Sequence, residues 1–264
     1  MPFRITSRRN PQVQDVRRLQ DESRYRRRTG RFVVEGVRLA EEVLRAGLRP
    51  EKAFYVPTTL SARGQAVVAA WQERGVPLWE VTPEVMAAMS ATETPQGLLL
   101  VLPWPQLSWP RRPSMLLLVD GLQDPGNLGT MLRTAWAAGV EGVVLLPGTV
   151  DVWSPKVVRA AMGAHLHLPL QRIAWEGLDD LLSGMEVYVT DVRAGVPYFQ
   201  ADWSRPFVLV IGNEAHGVRE PVRNLATQMV HIPLARGVES LNAAVATGIL
   251  LFEARRQRLF SAQG

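Results

Sequence analysis

The chain reads as an α/β protein: a C-terminal, mostly parallel sheet with helices on both faces, preceded by a small α/β domain. Three observations predict this. Strand-length apolar runs alternate with amphipathic helical stretches from residue 30 onward. The run MLLLVDGL at 115–122 is apolar without alternation, as in a strand covered on both faces. Pro103, Pro105, Pro110 and Pro113 interrupt both periodicities and divide the chain.

Residues 12–28 place Val13, Val16 and Leu19 at helical spacing inside an arginine-rich exterior, so residues 1–29 read as a basic arm. RFVVEGV is strand-like, and VRLAEEVLRAG is a helix closed by Gly47. KAFYV, PLWEV and GLLLVL read as strands, with helices SARGQAVVAAWQERG and TPEVMAAMS between them. Residues 30–102 therefore form a small unit of about four strands and three helices. Residues 103–113 are a stiff linker, and 114–264 form the second domain. There MLLLVDGL leads into a helix at 127–138, then strand GVVLLP, helix PKVVRAAMGA and the apolar segment HLHLPL. A helix near 176–183, strands MEVYVTD and PFVLVIG, a short helix near 219–226 and MVHIPL follow. The last helix runs from Ser240 to about Arg258, with Leu241, Ala244, Val245, Ile249 and Phe252 at three- and four-residue steps.

Composition narrows the chemistry. Hydrophobic residues are 47% and charged residues 21%, enough apolar surface to offset ordering entropy, so the chain is not mainly disordered. No cysteine is present, which excludes disulfides, thiolate metal sites and a cysteine nucleophile. Four histidines form no H-x-x-x-H pair, so a histidine-built metal site is not expected, and carboxylate-bound magnesium is left open. No apolar run reaches the roughly 18 residues of a membrane span, and the first residues lack the apolar core of a signal peptide. The expectation is a cytoplasmic, soluble protein without membrane partners. The net charge of +5 is concentrated: residues 1–31 hold ten arginines against three acids, and the remainder is net negative. Such an arm reads either as a solvated basic helix or as a phosphate-binding element.

Three loops carry chemistry, each where ligands of open α/β sheets bind, beyond strand C-termini. DGLQDPGNLGTMLRTA joins a buried strand to a helix; Asn127 could simply cap that helix, whereas Arg133, two turns in, needs solvent, a carboxylate or a ligand. VLVIGNEAHGV ends an apolar strand in Gly212 and follows it with Asn213, Glu214 and His216. A carboxylate there needs a partner, either Arg133 or a ribose or amino group of a ligand, although a polar two-glycine turn is the plainer reading. In HIPLARGVESLNAAVATG, Ser240 suits the N-cap of the last helix, while Asn242 is a poor helix-interior residue. No G-x-G-x-x-G follows a strand and no G-x-x-x-x-G-K-[ST] occurs, which disfavours standard dinucleotide enzymes, phosphate-loop NTPases and the common glycine-rich methyltransferase architecture; no G-x-S-x-G elbow occurs either.

Together these segments resemble the SpoU (TrmH-like) branch of the SPOUT RNA methyltransferases. The first matches N-x-G-x-x-x-R-T-A at Asn127, Gly129, Arg133, Thr134 and Ala135. The second matches I-G-N-E-x-x-G at Ile211–Glu214 and Gly217, and the third I-P…E-S-L-N-x-A-x-A at Ile232, Pro233, Glu239–Asn242, Ala244 and Ala246. FVVEGVRLAEEVL and TPQGLLLV are similar, more weakly, to the family's ribosomal-protein-like substrate-binding domain. The resemblance implies a trefoil knot, a homodimer formed through the C-terminal domain, and S-adenosylmethionine held by Gly212, Ile232 and Leu241, with Thr190 and Asp191 added by position. It implies methyl transfer to a ribose 2′-hydroxyl of structured RNA, ribosomal by preference. Transfer RNA, and a non-catalytic RNA-binding role on the same fold, are the alternatives. Arg133 is then expected to orient the ribose–phosphate, Glu214 to hold its guanidinium, and Asn127, Ser240 and Asn242 to position substrate and donor.

Overall fold

The computed structural model describes residues 3–261, which divide into two compact units. Unit 1 runs to Gln106 and takes in Trp153–Leu166; unit 2 comprises Leu107–Val152 and the chain from His167. The division after Gln106 falls inside the proline-rich segment, whose first proline is the last residue of a strand.

Unit 1 begins with β1 (Phe3–Ile5), α1 (Pro11–Asp21) and α2 (Ser23–Thr29). One basic helix was expected over 12–28; the chain instead breaks at Glu22, whose extended backbone cannot continue an α-helix. Asn10 caps α1 by accepting from the Gln12 amide at 2.9 Å, and Pro11 sits at its first turn. Then come β2 (Arg31–Glu35), α3 (Val37–Arg45), β3 (Lys52–Tyr55), α4 (Ala62–Glu73), β4 (Leu78–Val81), α5 (Pro83–Met89) and β5 (Leu98–Pro103). The sheet order is β1-β4-β3-β5-β2; β4 runs parallel to β1 and β3, and β5 antiparallel to β3 and β2. The fifth strand is β1, which lies within the basic segment.

That segment is built into the unit. Val13, Val16 and Leu19 are fully buried in a core shared with Ile5, Phe54, Val85 and Leu99. Asp15 pins α1 to the sheet, accepting from Arg31 Nη2 at 2.8 Å, Lys52 Nζ at 2.8 Å and the Tyr25 hydroxyl at 2.6 Å. Several of its arginines are spent internally: Arg26 is buried and donates to the Leu19 and Gln20 carbonyls, and Arg18 pairs with Glu22.

Unit 2 starts with β6 (Met115–Val119), α6 (Pro125–Ala138) and β7 (Gly142–Leu145). The next helix, α7 (Pro155–Ala161), belongs to unit 1 and packs there against β2. The chain continues through β8 (Leu170–Arg172), α8 (Leu178–Leu182), β9 (Glu186–Thr190), β10 (Val196–Pro197), β11 (Phe207–Ile211), α9 (Glu220–Arg223), β12 (Gln228–His231) and α10 (Ala243–Ser261). All seven strands pair in parallel in the order β10-β12-β9-β11-β6-β7-β8. Every residue of β6, β7 and β11 is buried, which is why their sequences do not alternate.

α10 packs on α6 and β11. Arg258 anchors its far end by donating to the carbonyls of Ser114 and Arg205 at 2.7 Å and of Trp203 at 2.9 Å. Its inward face is Ala244, Leu250, Leu251 and Ala254; Val245, Phe252 and Leu259 form an outward stripe, each about half exposed. Among the described residues no helix is long and apolar enough to cross a membrane.

Candidate active site

Parallel pairing puts the C-terminal ends of β6, β9, β11 and β12 on one edge of the sheet. The loops leaving them enclose a cleft of about 600 Å³. Five residues assigned to donor binding, Thr190, Asp191, Gly212, Ile232 and Leu241, all line it, as do Asn127, Glu214, Ser240 and Asn242. Arg133 does not; it is exposed on α6.

The three loops are joined by a chain of hydrogen bonds. Glu214 accepts from the Gln123 amide at 3.1 Å, the Asp124 amide at 3.0 Å and Asn127 Nδ2 at 3.2 Å. Asn127 Oδ1 in turn accepts from Asn242 Nδ2 at 2.8 Å. Asn242 Oδ1 accepts from the Ala244 and Val245 amides at 2.9 and 3.2 Å, capping α10. Each asparagine uses both ends of its amide, which a carboxylate cannot do when ionised.

Three expectations are corrected here. Ser240 does not cap the last helix: α10 begins at Ala243, so the cap is Asn242, which resolves why an asparagine stands there. Asn127 is not a cap either, because Asp124 fills that role, its Oδ1 accepting from the Asn127 amide at 2.7 Å. Within one chain Glu214 accepts from the α6 N-terminus and not from Arg133. Burial alone would raise the Glu214 carboxyl, but the Gln123 and Asp124 amides and Asn127 outweigh it and hold it below the ordinary glutamate range.

Further contacts fix the loops, and two of the residues that make them, Asp120 and Arg219, were not singled out from the sequence. Asp120, fully buried at the end of β6, accepts from the Arg219 amide and Nε, each at 2.8 Å, and from Nη2. Arg219 also donates to the Pro147 carbonyl at 2.7 Å and lies 4.0 Å from the Trp175 ring centroid. Asn213 Nδ2 donates to the Gly121 carbonyl at 2.8 Å, and the Asn213 and Gly217 backbones exchange two bonds of 2.9 Å. The loop closes so tightly that a Cβ on Gly212 would collide with the Gly217 and Val218 backbone. Asp191 accepts from the Arg193 and Ala194 amides at 2.9 Å and pairs with Arg223 at 2.8 Å; burial works against its ionisation, but these partners lower it overall. The sequence signal for Asp120 was present: a carboxylate ending a continuous apolar strand requires a partner.

The donor set suits a cationic amphipathic ligand. Ile211, Val230, Ile232 and Leu250 supply apolar wall, and Asp191 and Glu214 outnumber Arg223, the one Lys or Arg among the described residues that line the cleft.

Known proteins resemble this chain along nearly its whole length. Residues 114–252 match the SpoU rRNA Methylase family, and residues 10–100 match the MRM3-like substrate binding domain. The chain is 35% identical to the 23S rRNA (guanosine(2553)-2′-O)-methyltransferase RlmP of Bacillus subtilis, over 95% of this chain and 98% of that one. It is 37% identical to a Synechocystis protein described as an uncharacterized tRNA/rRNA methyltransferase, over 96% and 94% of the two chains. The crystal structure of an AdoMet-bound rRNA methyltransferase from Sinorhizobium meliloti superposes with a TM-score of 0.84 at 33% identity, covering 96% of this chain and 97% of that one. By a match that spans more than half its length, the chain belongs to the SpoU rRNA methylase family.

Proposed function

We propose that the protein methylates a ribose 2′-hydroxyl of ribosomal RNA with S-adenosylmethionine as donor, acting in the cytoplasm as a homodimer. The observation that carries this reading is the Glu214–Asn127–Asn242 chain, which ties three loops into one cleft rim. The family and the RlmP likeness support the substrate. S-adenosylmethionine supplies a methyl group from a cationic sulfonium, which becomes a neutral thioether on transfer.

This chain's residues do the rest. Thr190, Asp191, Gly212, Ile232 and Leu241 would hold the donor against the cleft wall. Glu214 fixes the N-terminus of α6, and through Asn127 and Asn242 it fixes the start of α10. Ser240, on the rim beside Asn242, would contact the substrate. Arg133, exposed on the outer surface of α6, would orient the ribose–phosphate and stabilise charge developing on the 2′-oxygen. A guanidinium stays protonated, so this role is electrostatic rather than proton abstraction.

The homodimer reading is supported by the outward stripe Val245–Phe252–Leu259 on α10, with Trp136 on the adjoining α6. The trefoil knot implied by the family fits a sheet in which β9 lies between β11 and β12 while α10 returns to α6. The test is incubation of unmodified 23S rRNA with labelled donor, followed by mapping of the modified nucleotide. Label on a ribose 2′-oxygen is expected; label on a base, or none, overturns the reading, and label on transfer RNA alone moves the substrate.

A further inference from the structure

A second cavity, of about 380 Å³, lies in unit 1 and is lined by Val37, Arg38, Thr59, Ser61, Arg63 and Gln96. Two arginines and no acidic residue line it. Arg38 is exposed and has no ion pair among the described residues. Arg63 is oriented from behind: its Nε and Nη2 donate to the two oxygens of Glu41, which lies outside the lining. Its Nη1 makes no hydrogen bond among the described residues.

The walls are fixed backbone rather than loose loop. Gln96 Oε1 accepts from the Val37 amide at 3.2 Å, closing the turn at Gly36. Gly36 has φ +97°, and a Cβ there would stand 2.9 Å from Gln96 Oε1; Gly97 has φ +74°, and a Cβ there would strike Thr59 Oγ1. Glu35 ties down the approach to that loop, accepting from the Ala91 amide at 3.1 Å and Thr92 Oγ1 at 2.7 Å. α3 starts at Val37, and Ser61 caps α4 by accepting from the Gly64 amide at 3.2 Å, so both helices begin at the cavity and add partial positive charge to the two arginines.

We propose that this cavity seats one phosphodiester group of the substrate RNA, gripped jointly by Arg38 and Arg63 with the Ser61 hydroxyl, whose oxygen accepts from the Gly64 amide and leaves its proton to donate. The proposal rests on the RNA methyltransferase reading above and moves the anchoring of RNA from a free basic arm to a preformed pocket. Arg38 offers an uncommitted planar fork, and Arg63, held in place by Glu41, offers its remaining Nη1; both are donors suited to a phosphate, and they carry no base readout. Their exposure suits a backbone that passes over the surface rather than a ligand that is enclosed.

The experiment measures binding of unmodified 23S rRNA to the full chain as a function of salt, for wild type, Arg38→Ala, Arg63→Ala and the double variant. Each single variant is expected to weaken binding about tenfold and to lower the salt slope by about one contact. Because both arginines hold one phosphate, the double variant should lose much less than the product of the two single losses. Donor affinity by calorimetry should be unchanged, since the cleft lies in unit 2. Arg38→Ala binding within twofold of wild type with the same salt slope, or fully multiplicative losses, overturns the shared site. Inorganic phosphate is the second probe: if it binds as tightly as RNA while Arg38→Ala leaves RNA affinity intact, the site serves a free anion and the proposal fails. A wild-type chain that neither binds nor methylates rRNA sinks the parent reading instead, and the subsite with it.

Discussion

Asp15→Asn tests whether the basic N-terminal segment is a structural part of unit 1. The Asp15 side chain is 16% exposed and meets Arg31, Lys52 and Tyr25. Burial alone would raise its pKa, but the hydrogen bonds from Arg31, Lys52 and Tyr25 prevail and lower it from 3.8 to about 2. A depressed carboxyl contributes stability that is fully present above its unfolded pKa and lost as pH falls through the folded one. That depression corresponds to roughly 2 kcal/mol at neutral pH, relative to the neutral group that asparagine imitates. Urea denaturation of wild type and variant at pH 7, 5, 4 and 3 reads the difference. It should be about 2 kcal/mol at pH 7 and 5, nearly the same at pH 4, and about half by pH 3. A difference below about 0.5 kcal/mol at pH 7, or one that does not shrink on acidification, refutes the pairing as the source.

The remaining predictions concern unit 2. Asn242→Ala should cost about 1 kcal/mol by removing the α10 cap and should also reduce methyl transfer. Asn242→Asp keeps a good cap but loses the donor to Asn127, so it should retain the melting temperature and still lose turnover; equal activity of Asn242→Asp and wild type contradicts the link. Arg133→Lys keeps the charge and loses the fork, so turnover should fall by about tenfold or more while rRNA binding is largely retained; near-normal turnover contradicts the orienting role. Asp120→Asn should destabilise by about 2–3 kcal/mol in denaturant melts, a value discounted because Arg219 is partly exposed. Donor affinity should be level through neutral pH and fall only below the ordinary glutamate range, where Glu214 takes up a proton; loss of affinity already near pH 6 points to another group.

Periodicity was enough to read the parallel sheet, because β6, β7 and β11 are buried on both faces and leave unbroken apolar runs. It could not reveal β1, which is three residues long, or the break at Glu22, which depends on packing against α5 and the sheet. The site was legible as three separate loops. Its wiring was not, because Glu214 and Asn127 lie 87 positions apart, and Asn127 and Asn242 lie 115 apart. Asp120 and Arg219 are separated by 99 positions, so the sequence announces that the carboxylate needs a partner but not which arginine supplies it. Arg133 was assigned to Glu214 by chemistry alone, and the geometry gives Glu214 to the start of α6 instead.

Hydrogen–deuterium exchange with and without S-adenosylmethionine tests the central claim, that loops after β9, β11 and β12 form one donor site. Amides of residues 190–195, 212–218 and 232–242 should gain protection together on donor addition, with those of unit 1 unchanged. Protection confined to one of these segments, or appearing only in unit 1, would contradict the account.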